Sequence, residues 1–167
     1  LKHGVITVCD VILGDFVWGN NSQTVFASLG KQYEQNCVIC TAPSKTFNIA
    51  GLQVSNIFIP NKNLRRRFRK QVAAAGYSQV NTLGLVACQA AYTYGEDWLQ
   101  QVKAYIEDNI EFVDAYLKQN LPQIKLLRPE GTYLIWQDSS ALRLTADERE
   151  HWLWHKAHLT QAARGNF

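Results

Sequence analysis

The sequence predicts an α/β fold in which a mostly parallel sheet comes first and helices follow. Three short apolar runs without alternation, at residues 3–10, 36–42 and 53–59, are typical of strands buried on both faces. Between residues 96 and 121, apolar residues recur three and four positions apart, which predicts one long helix. The change from strands to helices near residues 76–81 divides the chain into predicted parts at 1–80 and 81–167.

Composition places the chain among globular proteins. Apolar residues make up 47% of its 167 residues and charged residues 19%, so a domain of this length can bury a core. The net charge of +3 is too small to argue for nucleic acid, and no apolar run reaches the length of a membrane span. We therefore expect a cytoplasmic protein with no nucleic-acid and no membrane partner.

Two cysteines have the spacing of a redox or zinc pair. Cys37 and Cys40 lie within the second predicted strand, however, and residues i and i+3 of a strand point to opposite faces. The pair can then neither form a disulfide nor share a metal ion, and we predict no metal site. Reduced, buried thiols suit a cytosolic protein.

The first predicted strand ends at an acid and the second leads to a lysine. Asp10 closes the first run, and α/β sheets place functional groups at the carboxyl ends of their strands. The alternative for Asp10 is that it starts a turn or caps a short helix. Lys45 follows the second strand at a tight turn predicted at Pro43 and Ser44.

Lys45 is the one lysine between residues 40 and 52, and small or apolar residues surround it. Desolvation in such a place disfavours the charged ammonium and favours an amine that acts as nucleophile or base. The alternative is a lysine that reaches from a strand end into water. The local pattern alone does not decide between these two interpretations.

A basic run follows the third strand, within residues 63–75. It reads Arg65-Arg66-Arg67-Phe68-Arg69-Lys70. Such a run suits either an anion- or nucleic-acid-binding patch or the solvated face of a helix that starts after Pro60-Asn61. Because no other aromatic residue is interleaved with it, we interpret the run as a solvated face.

Four further elements complete the prediction. Small residues at 78–94 indicate a buried helix that Gly95 ends. Residues 124–127 and 132–137 indicate two strands around a turn at 128–131. Thr145, with Glu148 three residues later, has the spacing of a capping box and predicts a final helix. Residues 161–167 show no clear pattern.

Four segments together resemble one protein family. They are Asp10, the run Ser-Lys-Thr-Phe-Asn-Ile-Ala-Gly-Leu-Gln at residues 44–53, residues 77–81 and residues 129–134. The combination resembles the pyridoxal-phosphate-dependent aminotransferases of class I and II, which have fold type I. It is similar in particular to their cystathionine β-lyase or C–S lyase branch, often called MalY or PatB, over residues 1 to about 154.

The resemblance implies roles for four residues. Lys45 binds pyridoxal 5'-phosphate covalently and moves the Cα proton of the substrate. Asp10 pairs with the pyridine nitrogen and keeps it protonated, which makes the ring an electron sink. Ser44 and Thr41 offer hydroxyl groups to the phosphate.

The resemblance also implies an activity and an assembly. The implied enzyme is a C–S β-lyase that cleaves cystathionine or a related cysteine S-conjugate to a thiol, pyruvate and ammonia. An aminotransferase of the same family and a truncated, non-catalytic remnant are the alternatives. Family members are homodimers, and residues 77–81 are expected near the interface between subunits. Residues 1–80 are expected to form part of the large cofactor-binding domain, and 81–167 a connecting helix and an incomplete α+β small domain.

Several positions depart from the family pattern. Leu13 stands where relatives carry a group that hydrogen-bonds the phenolic oxygen of the cofactor, and leucine has no polar atom for this. Ala42 and Gln53 replace a frequent serine and an occasional arginine. The family's N-terminal elements are not found, and the context of Arg164 does not match the carboxylate-binding arginine. These departures predict a C-terminal fragment or a truncated gene product.

Overall fold

The computed structural model describes residues 2–77 and 79–158. In this part of the chain the strands are β1 Thr7–Asp10, β2 Cys37–Thr41, β3 Asn56–Phe58, β4 Lys125–Leu127 and β5 Trp136–Asp138. The α-helices are α1 Lys31–Glu34, α2 Pro43–Thr46, α3 Lys62–Ala74, α4 Thr82–Tyr94, α5 Glu96–Asn120 and α6 Ala146–His155. Short 3₁₀ helices lie at Phe26–Leu29, Ala50–Leu52 and Ser140–Leu142. The predicted α/β class is confirmed.

These residues form two compact units. The first reaches Asp108 and also takes in Pro129–Leu134, whereas the second takes in Asn109–Arg128 and resumes at Ile135. Residues of α5 therefore belong to both units. The boundary predicted between residues 80 and 81 refers to the domains of the whole family fold, and it stays a prediction.

The first unit is built on a three-stranded sheet in the order β1-β2-β3. β1 and β2 are parallel and in register, so that Asp10 lies opposite Cys40. β3 runs antiparallel to β2 and places Asn56 opposite Thr41. The predicted parallel pair is therefore present, and it brings the carboxyl ends of β1 and β2 to the same edge of the sheet.

Burial corrects the prediction for two of the three strands. β2 supplies buried core residues, Cys37 and Ile39, as expected. In β1, by contrast, inward and outward residues alternate and Val8 is 66% exposed, while Phe58 of β3 is 54% exposed. An apolar strand is buried on both faces only where another element packs on each face, and no described element covers these side chains.

The predicted helix at 78–94 begins later and is more exposed than expected. α4 starts at Thr82 with Asn81 as its N-cap, and Gly84 is its one buried residue. Leu83 is 72% exposed. The prediction of a buried helix is therefore wrong for the described part of the chain, because small side chains permit close packing but do not supply a packing partner. Gly95 follows the helix as predicted.

Side-chain caps begin helices α3 and α6. The Asn61 Oδ1 atom accepts hydrogen bonds from the backbone N–H groups of Asn63 and Leu64, at 2.9 and 3.1 Å, which starts α3. At α6, the Thr145 Oγ1 atom accepts from the Glu148 N–H at 3.2 Å while the Glu148 carboxylate accepts from the Thr145 N–H at 2.8 Å. The predicted capping box is confirmed.

The second unit contains the hairpin of β4 and β5, which pair antiparallel with Lys125 opposite Asp138. Its buried side chains include Ile110 and Leu117 on α5. An ion pair joins Arg128 to Glu111, and it holds the pKa of the Glu111 carboxyl below its ordinary value. None of the helices in residues 2–77 and 79–158 is long and apolar enough to cross a membrane.

Candidate active site

The carboxyl ends of β1 and β2 meet, as the sequence predicts. Asp10 ends β1 opposite Cys40, and the ladder continues one residue further, where the Val11 N–H donates to the Cys40 carbonyl at 3.0 Å. Thr41 is the last residue of β2. The sheet therefore brings Asp10 and Thr41 to one edge, with α2 starting two residues beyond Thr41.

Asp10 has both a structural contact and access to solvent. Its Oδ1 atom accepts a hydrogen bond from the Ile12 N–H at 3.1 Å, which starts the turn after β1. The side chain is exposed and lines a cavity of about 800 Å³. Since a carboxylate has two oxygens and about four lone-pair directions, the turn contact leaves Asp10 able to accept further hydrogen bonds.

The Asp10 cavity is acidic. Glu130 supplies a second carboxylate to its lining, and none of the described residues in this lining is a lysine or an arginine. Amide and hydroxyl side chains make up most of the remaining polar wall: Asn20, Asn21, Ser22, Gln23 and Thr132. A site of this charge favours a cation, such as a protonated ring nitrogen, over a phosphate.

Lys45 lies in a helix, where the sequence predicted a turn. Pro43 occupies the first position of α2, where its fixed φ and missing N–H are compatible with a helix start. Ser44 and Thr46 are buried, but Lys45 between them is exposed. The expected desolvation of Lys45 is therefore wrong for the described chain, because neighbouring residues of a helix point to different sides and only the flanking ones face the core.

Lys45 lines a second cavity, of about 420 Å³. Ser44 and Thr46 contribute hydroxyl-bearing residues to it, and its aromatic walls come from Phe16, Trp98 and Tyr133. Phe16 borders both cavities, Asp10 lines only the first and Lys45 only the second. Thr41 is among the lining residues of neither. The structure thus brings Ser44 and Lys45 to one cavity and Asp10 to the other, and Phe16 lines both.

Aromatic contacts hold the residue after α2. The Phe47 ring lies edge-on to Tyr92, with ring centroids 5.8 Å apart, and 6.0 Å from the Trp98 ring. Gly95 lies directly against Phe47, since a Cβ atom there would be 2.4 Å from the Phe47 Cε1 atom. The segment that carries Lys45 is therefore fixed to the junction of α4 and α5.

The segment Pro129–Leu134 joins the site through backbone contacts that spacing does not reveal. The Trp18 Nε1–H donates to the Thr132 carbonyl at 2.6 Å, and the Thr132 N–H donates to the Phe16 carbonyl at 2.7 Å. The Tyr133 ring meets Phe16 edge-on at 5.2 Å. These contacts carry Glu130 and Thr132 into the wall of the Asp10 cavity.

Burial and nearby charge set the protonation of groups around the site. Burial raises the pKa of the Cys40 thiol, and the Asp10 carboxylate and Cys9 raise it further. Burial also raises the pKa of Tyr92, as do Cys88 and Asp15, whereas a hydrogen bond with Asn56 lowers it. Cys40 and Tyr92 are thus held in their neutral forms.

Other predicted residues have structural roles or lie outside the description. Leu13 lines the Asp10 cavity with an apolar side chain. Asn81, from the segment 77–81, caps α4 and donates from Nδ2 to the Leu52 carbonyl at 2.6 Å. Ser78 and Arg164 lie outside the described residues.

The α/β fold and the positions of Asp10 and Lys45 agree with the class of pyridoxal-phosphate-dependent enzymes that the sequence resembles. Comparison with known proteins identifies the family. Residues 1–164 match the family of aminotransferases of class I and II, and the chain belongs to that family. It is 40% identical over 148 residues to cystathionine beta-lyase PatB of Bacillus subtilis strain 168. That match covers 89% of this chain and 38% of PatB.

Solved structures have the same fold. A PLP-bound protein of Clostridium difficile 630 superposes with a TM-score of 0.92 at 38% identity, over 95% of this chain and 41% of that one. Cystalysin of Treponema denticola, which contains a pyridoxal 5'-phosphate cofactor, superposes with a TM-score of 0.89 at 37% identity, over 92% and 39%. The chain therefore spans about 40% of the length of these relatives, and the predicted fold type is confirmed.

Proposed function

We propose that the chain is the lysine-bearing part of a pyridoxal-phosphate-dependent C–S β-lyase. Its substrate is cystathionine or a related cysteine S-conjugate, and its products are a thiol, pyruvate and ammonia. The observation that carries this proposal is the 40% identity to a cystathionine β-lyase over 89% of the chain. Asp10, at the end of β1, and Lys45, in the helix that follows β2, support it with the residue types that the chemistry needs.

The residues present fit the cofactor in chemical kind. The acidic cavity of Asp10 suits the protonated ring nitrogen, and the exposed amine of Lys45 suits the aldehyde. The hydroxyl groups of Ser44 and Thr41 suit the phosphate, which the acidic cavity does not. When bound, the cofactor supplies an electron sink for the carbanion that forms at the substrate Cα.

The residues of this chain then have separate tasks. Lys45 would hold the cofactor through its amine, and the same amine would take the proton from the substrate Cα. Asp10 holds a proton on the ring nitrogen by offering it a carboxylate partner. Phe16 and Tyr133 form aromatic walls of the cavity that Lys45 lines.

An aminotransferase is the second candidate, and the family match favours it, because the same residues serve both reactions. A non-catalytic remnant is the third, and Leu13 favours it by removing a contact to the phenolic oxygen.

By resemblance we also propose a homodimer with residues 77–81 near its interface, a cytoplasmic location, and domains at 1–80 and 81–167. The exposed apolar side chains of α4 support the proposal of a partner surface.

Covalent trapping tests the proposal. The chain is incubated with pyridoxal 5'-phosphate and reduced with borohydride, and the modified lysine is located by peptide mass spectrometry. We expect the adduct at Lys45, its loss in Lys45→Ala, and no change in the matched control Lys62→Ala, an exposed lysine of α3. Absence of an adduct at Lys45 would contradict both enzyme assignments and favour the remnant.

Product analysis separates the two enzymes. The protein loaded with cofactor is given cystathionine, with and without an added keto acid. A lyase releases pyruvate without the keto acid, whereas an aminotransferase consumes cystathionine only when the keto acid is present. Consumption of cystathionine that depends on the keto acid, with conversion of that keto acid to its amino acid and no pyruvate release, would favour the aminotransferase.

A further inference from the structure

We propose that Asp15 is a positioning residue for Lys45 and acts through a hydrogen bond to Thr46. This inference rests on the proposed function, because it concerns how the cofactor-binding lysine is held. Neither the strand ends nor the motif around Lys45 points to Asp15, and the contact joins residues 31 positions apart.

The hydrogen bond between Thr46 and Asp15 is short, and it joins a buried residue to an exposed one. The Thr46 Oγ1–H donates to the Asp15 Oδ2 atom at 2.6 Å. Thr46 is only 1% exposed, whereas Asp15 is exposed to solvent. An ionised acceptor makes a hydrogen bond stronger than a neutral one, and the buried hydroxyl has no water at hand to replace it.

The shape of α2 depends on such anchors. A helix of four residues is too short to be stable by itself, because forming the first turn costs more than its few hydrogen bonds return. The bonds from the Phe47 N–H to the Pro43 carbonyl and from the Ile49 N–H to the Ser44 carbonyl are local. The hydrogen bond from the Thr46 hydroxyl to Asp15 connects α2 to a distant segment of the chain, and Thr46 directly follows Lys45.

The segment that contains Asp15 also contains Asp10. From Asp10 to Phe16 the chain turns tightly, with the Gly14 N–H donating to the Val11 carbonyl at 3.0 Å and the Phe16 N–H to the Leu13 carbonyl at 3.1 Å. Asp15 therefore stands at a fixed place relative to Asp10. The bond to Thr46 consequently sets Lys45 relative to Asp10, the two residues that hold opposite sides of the cofactor.

Two pairs of substitutions separate positioning from simple folding. Asp15→Ala and Thr46→Val both remove the hydrogen bond, while Asp15→Asn and Thr46→Ser both keep an acceptor or a donor in place. Asp15→Ala leaves the Thr46 hydroxyl buried without its acceptor, whereas Thr46→Val leaves Asp15 free to bind water. We expect Asp15→Ala to lower the melting temperature more than Thr46→Val does.

The rate of borohydride-trapped adduct formation at Lys45 is the principal measurement. We expect about a tenfold lower rate in Asp15→Ala and in Thr46→Val, the size of a lost charge-assisted hydrogen bond. We expect the trapping rates of Asp15→Asn and Thr46→Ser to lie within about twofold of the rate of the unchanged chain. The double variant with Asp15→Ala and Thr46→Val should be no slower than Asp15→Ala alone, because both substitutions remove the same interaction. The control Asp114→Asn, whose carboxylate accepts from Lys118 in the second unit, leaves the rate unchanged.

Two results would overturn the inference. One is an unchanged trapping rate in Asp15→Ala, and the other is a Thr46→Ser variant as slow as Thr46→Val. If the unchanged chain forms no adduct at Lys45, the proposed function fails, and hydrogen exchange at residues 43–49 then decides the role of Asp15. Faster exchange in Asp15→Ala and Thr46→Val, but not in Thr46→Ser, supports this role, and equal exchange in all variants refutes it.

Discussion

Gly95 and Phe47 are in direct contact at the junction of α4 and α5. A Cβ atom on Gly95 would lie 2.4 Å from the Phe47 Cε1 atom and 2.4 Å from the Ala91 carbonyl oxygen. The ring can shift, but the backbone carbonyl belongs to the last turn of α4 and cannot move without disturbing it. A glycine is therefore required here for close packing beside the segment that carries Lys45.

The first prediction follows from this contact. Gly95→Ala is expected to lower the free energy of unfolding by about 1–3 kcal/mol, as overpacking does in a filled site. Thermal or urea unfolding followed by circular dichroism measures the change. Gly51→Ala is the control, because no atom lies within 4 Å of a Cβ placed there. Equal stability of the two variants would contradict the packing argument.

A second prediction concerns Trp18, which is 5% exposed and donates from Nε1 to the Thr132 carbonyl. Trp18→Phe keeps an aromatic ring but removes this donor, so that the half-buried Thr132 carbonyl loses its partner. We expect a loss of about 1–3 kcal/mol in the free energy of unfolding. Trp152→Phe, at a 53% exposed position of α6, serves as the control and is expected to change it by less than about 0.5 kcal/mol.

The capping box of α6 provides a third prediction, on pH. Hydrogen bonds from Thr145 hold the pKa of the Glu148 carboxyl below its ordinary value. A folded-state pKa below the unfolded one means that the contribution to stability is present above the unfolded pKa and is lost as pH falls through the folded one. Carboxyl titration by NMR should show a lowered pKa for Glu148, which rises in Thr145→Ala.

The same variant tests the cap as a contact. Thr145→Ala is expected to cost about 0.5–2 kcal/mol, the usual value for a lost N-cap. Thr145→Ser retains the hydroxyl and is the matched control. A Glu148 pKa that is the same in Thr145→Ala and in the unchanged chain would show that the Thr145 hydroxyl does not lower it, because the backbone N–H of residue 145 remains in the variant.

A fourth prediction restores the missing contact at position 13. Leu13→Tyr places a hydroxyl donor in the lining of the Asp10 cavity, where the resemblance to the family implies a hydrogen-bonding group. If the chain binds pyridoxal 5'-phosphate as proposed, its dissociation constant should fall by up to about tenfold, the effect of one added hydrogen bond. Leu13→Phe is the matched control, because it adds the same ring without the hydroxyl and should not lower the constant.

Some features of the site could be predicted because they depend on residues close in the sequence. An apolar run closed by an acid predicts that Asp10 ends a strand, and the observed register with Cys40 follows from the parallel pairing. The cap at Thr145 needs only a partner three residues away. The motif at residues 44–53 is specific enough to indicate the family before any contact is known.

Other features depend on where distant segments meet. Lys45 is exposed because Ser44 and Thr46 take the inward positions of α2. A shift of the helix by one residue would have turned Lys45 inward and its neighbours outward. Glu130 lines the Asp10 cavity because Trp18 binds the backbone at Thr132, and backbone carbonyls carry no sequence signal. Side-chain periodicity describes one element at a time, so it cannot report such contacts.

The sequence by itself thus determined the α/β class, the family, and which lysine and which aspartate carry the proposed chemistry. These follow from residue type and local spacing, which the chain keeps in any conformation. Only the tertiary structure decided that Asp10 and Lys45 line different cavities with Phe16 in both linings, and that Asp15 accepts a hydrogen bond from Thr46. Contacts between residues far apart in the chain form only when the backbone folds back on itself, so they are settled by packing rather than by pattern.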